Sequence, residues 1–62
     1  MNDFERMRRI RYNVREEFRD IRYLIGIDDF VHPGKYDRGV FEEFLKFLQL
    51  LEEKVIKAIN NG

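Results

Sequence analysis

Three titratable side chains fall within five residues in the stretch DDFVH: Asp28, Asp29 and His32. Two carboxylates and an imidazole are donors that can hold a divalent cation, and the same trio could move protons inside a shielded pocket. The spacing favours neither use. Adjacent aspartates more often cap a turn or open a helical segment, and a histidine directly before a proline is ordinary loop chemistry. Covalent catalysis is narrower still, because the chain contains no serine, threonine or cysteine, which leaves tyrosine as the sole hydroxyl nucleophile. The same absence removes disulfides and cysteine-based zinc sites. The expectation is a protein that binds rather than an enzyme, with no catalytic residue, metal or cofactor.

The second concentration of chemistry is RMRRIRYNVREEFRDIR, residues 6 to 22, with seven arginines. Arg8, Arg11, Arg15, Arg19 and Arg22 are three or four apart and form a ladder along one side of a helix, flanked by Tyr12 and Tyr23. Three uses compete for it. The arginine stems can cover the edge of an apolar seam while their heads meet carboxylates of a neighbouring helix. The ladder and its tyrosines can form a nucleic-acid surface, since guanidinium suits phosphate and aromatic faces stack on bases. It can also dock an acidic patch on another protein. Twelve basic and twelve acidic residues cancel overall, which weakens the nucleic-acid reading and leaves any attraction local.

These groups must be carried by something, and the periodicity specifies helices. Phe4, Met7, Ile10, Val14, Phe18, Ile21 and Ile25 recur every three or four residues without an intervening glycine or proline. Asn2 with Glu5 marks the start as an N-cap with its capping-box partner, and Gly26 is placed where a left-handed residue commonly ends a helix. A second stretch, about 38–60, carries Val40, Phe41, Phe44, Leu45, Leu48, Leu51, Val55, Ile56 and Ile59 on one broad side. Asp37 is its expected N-cap, with Tyr36 and Phe41 as a hydrophobic staple. Residues 1–62 therefore form a single all-α domain, an antiparallel two-helix hairpin: helix about 3–25, connection 26–37, helix about 38–60. The connection is long, contains a type II turn at HPGK, and is expected to fold Ile27, Phe30, Val31 and Tyr36 back over the open end.

The apolar sector of the second helix spans close to half its circumference, whereas one partner helix covers a stripe of about 100°. The surplus predicts a homodimer in the form of a four-helix bundle, or docking on a larger protein, through Phe44, Phe47, Leu48, Leu51 and Val55. In length and plan this resembles the Rop proteins, which also pair two helices per chain as a dimer; no motif is shared. The expected role is a small regulator or inhibitor acting through protein contacts, with nucleic-acid binding through the arginine ladder as the alternative. Glu52 is the exception in the apolar sector and needs a partner there. A hairpin closing midway between Ile25 and Arg38 sets Arg11 opposite Glu52 as a structural salt bridge, with Arg8 or Arg15 one turn away. No stretch approaches the roughly 18 apolar residues of a membrane span, and the N-terminal residues lack the apolar core of a secretory signal, so a cytoplasmic location is expected. The abundance of Arg, Glu, Lys, Ile and Phe beside a single glutamine leans toward a thermophile-like composition.

Overall fold

A computed structural model describes residues 2–61 as two α-helices in contact, α1 (Asp3–Val31) and α2 (Arg38–Asn61). Among the described residues there is no strand, and no helix is long and apolar enough to cross a membrane. Both helix starts follow the expected chemistry. The Asn2 side chain accepts a hydrogen bond from the Glu5 backbone N–H at 2.8 Å. The Asp37 side chain accepts from the Val40 N–H at 3.2 Å, while the Tyr36 and Phe41 rings close the staple at a centroid distance of 5.6 Å.

The end of α1 departs from expectation. The helix runs straight through Gly26 and stops six residues beyond Ile25, at Val31. One interior glycine costs a helix only about 1 kcal/mol, too little to end it unaided. Proline is the real barrier. It bars the residue before it from helical geometry, and His32, with φ −122° and ψ 72°, obeys. The chain then turns on Pro33 and Gly34. Gly34 has φ 85°, the value that the third residue of a type II turn requires, and the Lys35 N–H donates to the His32 carbonyl at 3.1 Å.

The connection is therefore residues 32–37, within the usual range of about 2 to 8 for neighbouring helices. Ile27, Phe30 and Val31 lie on the extended helix rather than folding over the bundle end; Phe30 is 84% exposed. Tyr36 alone of that group is half-buried in the connection itself. A Cβ added at Gly26 meets nothing within 4 Å. Gly26→Ala is thus expected to raise stability by about 0.5–1 kcal/mol, read as a higher melting temperature by circular dichroism. A left-handed cap at this position would give a lower one.

Packing between the helices is a single seam. From α1 it takes Met7, Arg11, Val14, Phe18, Arg22 and Ile25, all half-buried; from α2 it takes Phe41, Leu45, Leu48, Glu52, Ile56 and Ile59. Of the described apolar residues only Leu48 and Ile56 are buried. The Cα trace measures 48 × 18 × 8 Å, one helix thick, whereas a domain normally closes its core between two layers. Accessible surface points the same way: the chain exposes 5235 Å², against about 4,300 Å² for a compact monomer of 7.7 kDa. The excess is about 900 Å².

Candidate functional site

The residues immediately before those of the seam form a second stripe. On α2, Val40, Phe44, Phe47 and Leu51 precede Phe41, Leu45, Leu48 and Glu52; on α1, Ile10, Ile21 and Leu24 precede Arg11, Arg22 and Ile25. One residue is a turn of about 100° around the helix axis. Because the helices run in opposite directions, the same turn on each leads to the same side of the hairpin. All seven side chains are exposed, from 38% at Leu51 to 67% at Val40. Near the connection this face dips into an apolar depression lined by Ile25, Tyr36, Val40, Phe41 and Phe44.

Residues that follow the seam turn to the opposite side, and that side is polar. At its border with the seam, Glu52, 7% exposed, is held by two guanidiniums: Arg15 at 3.1 Å and Arg22 at 2.9 Å. Arg11 instead donates to the Asn60 side chain, and Arg19 pairs with Glu16 one turn away. Glu52 therefore pairs not with Arg11 but with Arg15, one of the two expected alternates, and with Arg22. The cause is the six extra residues of α1: facing positions sum to about 69, set by Val31 and Arg38, instead of about 63. The α1 position level with Glu52 becomes Glu17, between Arg15 and Arg22 in sequence. Four rungs of the ladder are thus occupied within the chain, while Arg8 lines a shallow surface dip with Glu5, Arg9 and Tyr12.

Of the five residues expected on the docking surface, Phe44, Phe47 and Leu51 lie on the open face, Val55 is half-buried at the border between that face and the seam, and Leu48 belongs to the internal seam. Sequence reasoning missed the contribution of Ile10, Ile21 and Leu24. Ile10 and Ile21 are members of the apolar stripe that the sequence assigns to the core, whereas Leu24 lies outside that stripe.

Asp28, Asp29 and His32 do not converge. Asp28 accepts from the Tyr36 hydroxyl and from the Lys35 ammonium at 2.9 Å; Asp29 pairs with Arg38; His32 caps α1. Among the described residues no three carboxylate or imidazole side chains are grouped to hold a metal ion. The Tyr36 hydrogen bond, then the Lys35 bond, hold the Asp28 carboxyl below the usual carboxylate range. Reciprocally, hydrogen bonding to Asp28 lifts the Lys35 ammonium and the Tyr36 phenol above theirs. Asp28 and Asp29 thereby tie the end of α1 to the turn and the start of α2, while His32 contributes its backbone N–H to the cap.

No family model matches the chain, and neither the curated proteins nor the solved structures include a match.

Proposed function

We propose that this chain is a small non-catalytic interaction module, a regulator or inhibitor that works by pressing the open apolar face against a protein surface. Self-association into a four-helix bundle or docking on a larger protein would each supply the missing layer. The observation that carries this reading is the imbalance of the fold: two buried apolar side chains among the described residues, and a contiguous exposed face built from both helices. Apolar patches of this kind on small chains mark contact sites. The arginine ladder, by contrast, commits four of its five members to partners within the hairpin.

Two measurements test it together. The chain is expected to associate through contacts that survive added salt and are lost in the double variant Phe44→Glu, Leu51→Glu. Labelled DNA and RNA are expected to show no shift. Association that persists in the double variant would overturn the reading. So would nucleic-acid binding that weakens steeply with salt and disappears when Arg8 and Arg15 become alanine, because counterion release is the signature of phosphate contact.

A further inference from the structure

Resting on that reading, we propose that the occupant of the open face is a second copy of this chain, related by a twofold axis running along the hairpin. Both connections then lie at the same end, and α1 of each copy packs on α2 of the other.

Area is the first argument. The hairpin leaves about 900 Å² more surface uncovered than a compact monomer, and a stable pairing hides about 800 Å² on each partner. A face that is the same on both partners is what a twofold contact requires. Each helix also carries two stripes about 100° apart, one filled by its sibling and one open, the arrangement of a helix with two neighbours in a four-helix bundle.

Axial matching selects the orientation. A twofold along the hairpin preserves height, so positions that face each other between copies also sum to about 69. Ile21 then falls between Phe47 and Leu51 of the second copy, Leu24 falls between Phe44 and Phe47, and Ile10 meets Ala58. Charge is matched as well: Glu17 on this face lies within one turn of the second copy's Lys54, which stands at the α2 edge of the face, and the pair occurs twice.

A twofold perpendicular to the hairpin sets α1 on α1 and α2 on α2 with the connections at opposite ends. With α1 fully overlapped, that arrangement places Lys54 between Phe47 and Leu51 of the other copy and Glu17 against Glu17. Each charge would then sit unpaired in an apolar seam, a desolvation cost that the axial arrangement avoids.

The experiment labels one position. The chain has no cysteine, and His32 is exposed with no side-chain partner among the described residues, so His32→Cys carries a single spin label per chain. The full-length labelled protein is weighed by light scattering, and the label separation is measured by pulsed dipolar spectroscopy. The expected result is a mass of two chains and a separation within about 25 Å, since neighbouring helices lie roughly 8–10 Å apart. A two-chain mass with labels beyond about 40 Å, comparable with the 48 Å length of the hairpin, overturns the axial arrangement while the interaction reading stands. A mass of one chain at every concentration overturns the second copy as occupant, and the nucleic-acid measurement then decides the reading itself.

Charge reversal gives an independent readout. Glu17→Lys or Lys54→Glu alone is expected to weaken the dimer roughly tenfold, counting two pairs per dimer, and the two together to restore it to within about threefold. Additive losses would overturn the cross-pairing.

Discussion

Leu48→Ala is expected to abolish most of the helical signal at 25 °C. Removing a buried leucine side chain costs about 2–5 kcal/mol, and Leu48 is one of two buried apolar residues among those described. A core this small supplies roughly 3–5 kcal/mol in total, so one cavity consumes it. Ile56→Val, which deletes a single methylene from the other buried residue, is expected to cost about 1 kcal/mol. The control is Leu50, which points outward and is 59% exposed; Leu50→Ala should change stability by no more than about 0.5 kcal/mol. Urea denaturation followed by circular dichroism orders the three. An equal loss at Leu48 and Leu50 would show that the seam described above is not the one that holds the helices together.

Substitutions at Glu52 are expected to split by the chemistry of the replacement rather than by its size. Glu52→Gln keeps the shape but removes the charge facing Arg15 and Arg22, and should cost about 1–3 kcal/mol. Glu52→Leu removes the buried carboxylate together with its desolvation and fills the space with hydrocarbon. Such replacements are often neutral or stabilising when the charged partners can reach water. Arg15 has more than half of its side chain exposed, and Arg22 about a third, so both can do so. Glu52→Leu is therefore expected to melt at or above the temperature of Glu52→Gln. Pairing each substitution with Arg22→Leu should show coupling larger than with Arg15→Leu, because the Arg22 contact is both shorter and better shielded. Equal coupling would remove the distinction between the two arginines.

The local signals in the sequence carried through wherever they depended on a side chain meeting its own backbone. Asn2 caps α1, Asp37 caps α2, and Pro33 with Gly34 makes the type II turn, each within a few residues of the pattern that announced it. What was misjudged was a competition between two breakers. Gly26 permits a helix to end but does not compel it, whereas Pro33 forbids continuation; the chain followed the stronger constraint. That single difference moved the facing position of Glu52 from Arg11 to the span between Arg15 and Arg22. The need for a cationic partner was legible because an isolated carboxylate in an apolar stripe is costly wherever the helix ends. Its identity depended on where the hairpin closes, which no residue near Glu52 reports. The breadth of the α2 apolar sector was also legible, but not the half of the open face contributed by α1, since Ile10 and Ile21 read equally well as core until Arg11 and Arg22 are seen occupying the seam beside them, and Leu24 falls outside the periodic stripe.

One carboxylate shared by two guanidiniums also restricts how the helices may slide. Displacing α2 by seven residues so that Ile59 comes level with Arg15 and Arg22 would leave Glu52 with Arg22 and Asp29, one cation and a like charge, whereas the opposite slip would carry it to Arg8 and Arg15. The apolar repeat by itself would accept either slip. The lone acid therefore works as a pawl, resisting travel of the rods in one direction.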